Sequence, residues 1–120
     1  MDVLTMETKA SLLHADTPRF TIDVDDGGRA TVRFPAGVGV ANLDWRLLLD
    51  GGVELRTVTR EATQSVRPGG VRLRIPLERG LAVLHVDWDV TDKDVRVRAE
   101  VENICGQDLR LRELSLECEP

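Results

Sequence analysis

The chain has 120 residues, 42% hydrophobic and 31% charged, with a formal net charge of -5. A chain of this length buries roughly two-thirds of the surface that its unfolded form exposes, so its core needs no metal or disulfide, and we expect one domain over residues 1–120. The 21 acidic against 16 basic residues argue against nucleic-acid and membrane partners, because both bind to cationic surfaces.

Nothing in the sequence predicts export or membrane insertion. No apolar run approaches the roughly 18 residues of a membrane span, and residues 1–7 lack the basic and then apolar layout of a secretory signal. We therefore expect a cytoplasmic protein. In that reducing compartment Cys105 and Cys118 should remain thiols, with a single disulfide between them as the alternative.

The first 18 residues carry a weak alternating pattern. Five residues in one phase fit an edge strand: Leu4, Met6, Thr8, Ala10 and Leu12. Three others do not fit that phase: Val3, Leu13 and His14. We expect a strand here, and from Arg19 onward alternation of period two dominates the chain.

The first clear hairpin spans residues 20–34. Aligning its apolar residues gives three cross-strand pairs: Val24 with Ala30, Ile22 with Val32, and Phe20 with Phe34. This register leaves Asp26-Gly27-Gly28 as a three-residue loop. Such a loop requires one residue in the left-handed region, so we expect a positive φ at Gly28.

A second hairpin uses the same turn chemistry at Asp50-Gly51-Gly52. Its predicted pairs are Leu49 with Val53, Leu47 with Leu55, and Trp45 with Thr57. This register predicts a positive φ at Gly52, matching the first loop.

The third hairpin follows a strand over residues 71–77 and a turn at 78–80. The run from Leu81 to Val90 is apolar on both faces at its start, which is typical of a central strand. After the turn at 91–94, the predicted pairs are Val90 with Val95, Trp88 with Val97, Val86 with Ala99, and Leu84 with Val101.

The last strand, Leu109 to Cys118, changes the phase of its apolar residues, which a β-bulge near Arg112-Glu113 would reconcile. Eight or nine short strands joined by tight turns predict an all-β fold. We expect an antiparallel two-sheet β-sandwich built from successive hairpins. Because the chain stops almost where this strand does, we also expect a domain cut from a longer protein.

Both tryptophans fall in the apolar phase of their strands, so we expect Trp45 and Trp88 in the core. Sugar-binding sandwiches often present exposed Trp and Tyr rings, but this chain has no Tyr. A carbohydrate platform is therefore disfavoured.

Four acidic residues crowd the third hairpin: Asp87, Asp89, Asp92 and Asp94. They allow a calcium site, but the register favours a ladder of opposite charges between the two strands. Its predicted pairs are Asp89 with Arg96, Asp87 with Arg98, and His85 with Glu100.

Other chemistry has little support in the sequence. His14 and His85 are isolated and do not form a zinc spacing with the two cysteines. No Ser or Cys has the elbow, oxyanion turn or neighbouring base of a nucleophile. We therefore assign no catalytic, cofactor-binding or metal-binding residue, and expect no cofactor.

Residues 95–103 form an alternating strand that ends at Asn103, and residues 108–114 re-enter as a second alternating strand. This stretch resembles one in the N-terminal β-sandwich of alpha-galactosidase-type glycoside hydrolases, and immunoglobulin-like sandwiches share the arrangement. The resemblance implies an accessory domain that precedes a catalytic barrel. The catalytic carboxylates of that family lie in the barrel, so no site residue is implied here.

Two functions follow as hypotheses. One is a non-catalytic accessory domain of a larger, carbohydrate-active protein, whose partner is a catalytic domain of the same chain. The other is a free-standing interaction protein that assembles through a sheet face or edge, as in a homo-oligomer. A reading frame that continues past Pro120 would favour the first, and a stop codon there the second.

Overall fold

A computed structural model describes residues 11–35, 37 and 39–117. The strands are β1 (Ser11–Asp16), β2 (Thr21–Asp25), β3 (Ala30–Arg33), β4 (Gly39–Leu49), β5 (Glu54–Arg56), β6 (Thr63–Arg67), β7 (Gly70–Pro76), β8 (Ala82–Val90), β9 (Val95–Asn103) and β10 (Leu111–Glu117). Single turns of 3-10 helix lie at Thr59–Glu61 and Glu78–Gly80. Within these ranges no helix is long and apolar enough to cross a membrane.

The strands form two antiparallel sheets, as the alternation predicts. One sheet has six strands in the order β1-β2-β3-β4-β10, with β5 also paired to β4. The other has four strands in the order β6-β7-β8-β9. The all-β, two-sheet sandwich expected from the sequence is therefore confirmed, with ten strands in the described residues rather than eight or nine.

The core lies between the sheets and is built from the apolar phase of the long strands. In the four-stranded sheet, the most completely covered residues are Val71, Leu73, Leu84 and Val86. In the six-stranded sheet, they are Ile22, Val24, Leu47 and, on the short β5, Leu55. Trp45 and Trp88 are 6% and 2% exposed, which confirms them as core residues. Neither indole N–H has a hydrogen-bond partner in the described structure.

The first hairpin has the predicted register over its strands. Ile22 pairs with Val32, and the loop closes where the Asp25 N–H donates to the Arg29 carbonyl (2.9 Å). Gly28 has a φ of 88°, as predicted. The predicted pair of Phe20 with Phe34 lies just beyond the ladder, which ends at Thr21 with Arg33; Phe20 is buried, whereas Phe34 is 48% exposed.

The second hairpin is correct near its turn and wrong farther away. Leu47 pairs with Leu55, but Thr57 forms its bridge with Leu77 of the other sheet's connecting turn. β5 has only three residues, so the chain leaves the ladder before it reaches Trp45. Gly52 has the predicted positive φ, and Gly51 is also left-handed, with a φ of 89°; Gly27 is not, so the two loops are not matched.

The third hairpin has the predicted register throughout, from Val90 opposite Val95 to Leu84 opposite Val101. The bulge in the last strand is also confirmed, since Leu111 pairs with Leu49 and Glu113 with Leu48.

The N-terminal strand is an edge strand, but the phase of its apolar residues differs from the prediction. The pairing of β1 with β2 shifts between Ser11 and Leu13, and this bulge places Leu13 in the core. Leu4 to Ala10 and Cys118 lie outside the described residues.

A candidate interaction edge

Each sheet of the sandwich ends in two strands whose outer backbone groups have no neighbouring strand within the described ranges. These terminal strands are β1 and β10 in one sheet and β6 and β9 in the other; β5 also pairs with one strand only, but it has just three residues. An unpaired strand edge is a template for another strand, so proteins commonly blunt it with bulges, prolines or short length. The four terminal strands differ in these features.

Three of the terminal strands are blunted. β1 is interrupted between Ser11 and Leu13, and β10 between Leu111 and Glu113. β6 has five residues and is followed directly by Pro68. Bulges twist a strand away from a flat pairing geometry, and proline removes a backbone donor.

The fourth terminal strand, β9, has none of these features. It has nine residues, and they pair one to one with β8 from Val95 to Asn103 without a shift in register. Its sequence contains no proline, lysine or glycine. β9 is thus a long and regular strand with a free outer side in the described structure.

Hydrogen bonds at the two ends of β9 establish which backbone groups point outward. The Thr91 N–H donates to the Asp94 carbonyl (2.9 Å), and the Ile104 N–H donates to the Leu81 carbonyl (3.1 Å). Hydrogen-bonded pairs alternate along an antiparallel ladder, so the even-numbered residues of β9 bond to β8. The odd-numbered residues, Val95 to Asn103, therefore direct their N–H and C=O groups away from the sheet.

The side chains on the inner face of β9 are less covered than those of β8. Trp88 lies opposite Val97 in the ladder, yet Trp88 is 2% exposed and Val97 is 41% exposed. Val95, Ala99 and Val101 are half-buried against the same core. β9 consequently has an apolar row that a further strand could extend.

The outer face of β9 carries charges in two blocks, with arginine at positions 96 and 98 and glutamate at positions 100 and 102. Arg96 lies 3.6 Å from Asp94 on its own side of the turn, and His85 Nε2 lies 2.8 Å from Glu102 Oε1. Arg98 and Glu100 form no ion pair with any other described residue.

The predicted ladder of opposite charges has the right register but the wrong partners. Asp87 lies opposite Arg98, but its carboxylate contacts Arg72 (3.2 Å) and Arg67 (3.6 Å) on the other side of β8. Asp89 likewise contacts Arg67, at 2.5 Å. The acids of β8 are neutralised by arginines of β6 and β7, and this leaves Arg98 and Glu100 of β9 without an ion-pair partner among the described residues.

The remaining residues considered from the sequence are dispersed. His14 contacts Asp23 (2.6 Å) on the other sheet, and Cys105 Sγ lies 3.2 Å from Asn103 Oδ1 in the loop after β9. Cys105 is a free thiol, as predicted, whereas Cys118 lies outside the described residues, so its thiol state stays a prediction. No group of three or more His, Cys, Asp or Glu side chains among the described residues could hold a metal ion.

A second charged surface lies on the six-stranded sheet. Glu54 accepts hydrogen bonds from Arg46 and Arg56, and Arg56 also donates to Glu117 (3.0 Å). The hydrogen bond from Arg46 lowers the pKa of Glu54 below its ordinary value, and the hydrogen bond with Glu117 raises the pKa of Arg56. These charges already pair within the chain, so the surface has little free capacity for a ligand.

A third surface surrounds Phe34 at one end of the sandwich. Phe34 shares an apolar concavity with Phe20 and Val95, with Arg19 and Lys93 at its border. Phe20 is buried, so only one aromatic ring is presented to solvent there. With both tryptophans in the core, the described residues present no row of exposed rings that could stack on a sugar.

β9 was not among the sites predicted from the sequence. The sequence of residues 95–103 nevertheless contains an indication of such a site. Hydrophobic residues there alternate first with arginine and then with glutamate, and the stretch contains no proline or lysine that would hinder pairing with another strand. No family model, no curated protein and no solved structure matches this chain, so the resemblance to the alpha-galactosidase-type sandwich stays a prediction.

Proposed function

We propose that this chain is a non-catalytic β-sandwich interaction module that binds a partner strand along the outer edge of β9. The observation that carries the proposal is the contrast between β9 and the three blunted terminal strands. β9 has nine residues in unbroken register, and the described residues place no strand on its outer side.

Strand addition explains how such an edge would bind. The outward N–H and C=O groups of Val97, Ala99 and Val101 can each bond to an extended partner backbone, and each such bond contributes about 0.5–1.5 kcal/mol net. Backbone bonds of this kind supply affinity, whereas side chains on alternate positions supply specificity. The exposed Val97 and the charged outer row are the groups available for that specificity.

An accessory domain of a larger enzyme would use the same edge if the partner strand belonged to its catalytic domain. The edge and the buried tryptophans support an interaction role more directly than a role in sugar binding. The relationship to glycoside hydrolases stays a prediction.

Amide hydrogen exchange measured by NMR tests the proposed function. The probes are two capped nonapeptides, one with the sequence of residues 95–103 and one in which every Arg and Glu of that sequence is exchanged. Raising the concentration of a peptide, or of the chain itself, should slow exchange of the outward amides of Val97, Ala99 and Val101. The inward amides of Arg98 and Glu100 already bond to β8, so their exchange should change little.

Two adjacent proline substitutions provide the matched control. Ala99→Pro removes an outward donor and should abolish the added protection while the domain stays folded. Arg98→Pro removes an inward donor and should destabilise the β8–β9 ladder itself. The proposal is wrong if the outward amides stay unprotected at every concentration of chain and peptides, or if protection develops along β6 instead.

A further inference from the structure

We infer that the partner strand is β9 of a second copy of this chain, paired antiparallel about a two-fold axis that passes between the two Ala99 residues. This inference rests on the proposed function and adds the identity and register of the partner. It would join two four-stranded sheets into one continuous sheet of eight strands. The order of charges along β9 supports this identity and register.

With Ala99 opposite its own copy, each charged residue faces the opposite charge. Arg98 lies opposite Glu100 of the second copy, and Arg96 lies opposite Glu102, and the two-fold axis repeats both pairs. Directly opposite charges on neighbouring strands stabilise a sheet, whereas like charges destabilise it. The two blocks of charge in β9 therefore make the strand complementary to itself when it is reversed.

Neighbouring registers lack this complementarity. Moving the centre by one residue places either Arg98 or Glu100 against its own copy. Moving it by two residues places Arg96 against Arg98 in one direction and Glu100 against Glu102 in the other. A parallel arrangement in register would set every charge against its own copy, so the antiparallel register centred on Ala99 is the one that the charges favour.

The backbone and the inner face agree with the same register. Ala99 is one of the residues whose N–H and C=O groups point outward, so this centre makes it a hydrogen-bonded pair with its copy. Val97, which is 41% exposed, would lie opposite Val101 of the second copy and extend the half-buried apolar row. Arg98 and Glu100, at the centre of the pairing, form no ion pair within the described structure that would have to break.

Charge reversal with complementation tests the register. Arg98→Glu places two glutamates opposite each other in the homodimer, and Glu100→Arg places two arginines opposite each other. Each variant alone should dimerise at least about tenfold more weakly than the unchanged chain in sedimentation equilibrium at low salt. An equimolar mixture of the two should form a heterodimer, because all four central positions then face opposite charges, and the double variant should again form a homodimer.

Arg74→Glu is the matched control, because it reverses an exposed charge on the same sheet at a strand that is not an edge. It should leave dimerisation unchanged, and thermal melts of all variants should show a folded domain. The inferred register is wrong if the single variants dimerise as the unchanged chain does, or if their mixture forms no heterodimer.

A chain that stays monomeric at millimolar concentration would overturn the second copy as the partner. In that case binding of the two nonapeptides still decides the proposed function separately. Equal binding of both peptides would support strand addition at β9 and contradict its dependence on charge order.

Discussion

β8 and β9 are adjacent strands of nine residues each, and apolar and polar positions alternate along β9 and along β8 from Leu84 onward, yet their surroundings differ. The inner row of β8 is almost wholly covered, including Leu84 and Val86 at 0% exposure. On β9, Val97 remains 41% exposed. Alternation thus determines which face of a strand is apolar, whereas the number of neighbouring strands determines how far that face is buried.

The two strands also differ in how their charges are used. The carboxylates of Asp87 and Asp89 on β8 contact arginines from β6 and β7, whereas Arg98 and Glu100 on β9 have no ion-pair partner in the described residues. The charged side chains of a central strand can find partners on two neighbouring strands. An edge strand has a neighbouring strand on one side only, so a strand from another molecule can supply contacts on the other side. This is the physical basis of the proposed interaction.

Truncating the two opposed residues Trp88 and Val97 provides the strongest test of this comparison. Trp88→Ala should lower the free energy of unfolding by about 3–5 kcal/mol, because it removes a large buried side chain and leaves a cavity. Val97→Ala should lower it by less than about 1 kcal/mol in a monomer, since much of that side chain is already in water. Urea denaturation at low protein concentration measures both.

Similar losses for the two variants would show that the inner faces of β8 and β9 are equally covered, and the comparison would fail. Val97→Ala should in addition weaken dimerisation, because Val97 faces Val101 of the second copy in the inferred register.

A second pair of positions extends the comparison from strands to turns. Gly28 and Gly52 both have positive φ, but a Cβ at Gly28 would lie 2.8 Å from Ile75 Cδ1, whereas a Cβ at Gly52 would meet no atom within 4 Å. Substitution by Val strains both backbones, by roughly 1–3 kcal/mol, and also crowds the core at Gly28. Gly28→Val should therefore be more destabilising by about another 1–3 kcal/mol.

Thermal melts of the two Val variants and the two Asn variants measure this difference. Asn adopts the left-handed region more readily than Val, so Gly52→Asn should be the mildest of the four. Equal losses of stability for Gly28→Val and Gly52→Val would mean that a clash with Ile75 contributes nothing to the destabilisation.

The charged rows of the two strands give a third, smaller contrast. Asp87→Asn should lower the free energy of unfolding by about 1 kcal/mol, because its contacts with Arg67 and Arg72 are partly exposed. This loss should shrink in 1 M salt, where such pairs are screened. Arg98→Gln should leave the stability of the monomer almost unchanged. A loss as large as that of Asp87→Asn would instead indicate that Arg98 pairs with an acid across the ladder, as the sequence predicts.

The sequence predicts the local parts of this fold well, because register within a hairpin follows from alternation and turn length. The pairing of Trp88 with Val97 and the bulge beside Glu113 could both be read from the phase of apolar residues. Contacts between distant segments could not be read in this way. The sequence therefore predicts that Thr57 pairs with Trp45, whereas Thr57 forms a bridge with Leu77.

The candidate site was not predicted for the same reason. Residues 95–103 contain the charge order, but alternation alone does not show whether a strand is central or terminal. That depends on where β6, β7 and β10 lie, which hydrophobic patterning leaves open. Likewise, the register of the third hairpin predicts Arg98 as the partner of Asp87, and only the position of β6 and β7 in the sheet shows that Arg67 and Arg72 reach it instead.

The smallest expected effect concerns acid stability on the other sheet, where ion pairs of Glu54 and Arg56 join the short strand β5 to β4 and β10. The hydrogen bond from Arg46 holds the pKa of Glu54 below its ordinary value of 4.5. Because the pKa is lower in the folded state, ionised Glu54 stabilises the fold fully above the pKa of the unfolded chain. This stabilisation is lost as the pH falls through the folded pKa.

Glu54→Gln should therefore lower the free energy of unfolding slightly at pH 7, and the difference from the unchanged chain should disappear under acidic conditions, below pH 4.5. Arg46→Gln should remove the larger part of the same pH dependence, because the hydrogen bond from Arg46 lowers the pKa of Glu54 more than the hydrogen bond from Arg56 does. Urea denaturation across this pH range measures these differences. A gap between Glu54→Gln and the unchanged chain that persists at low pH would show that packing of the side chain, rather than its charge, holds β5 in place.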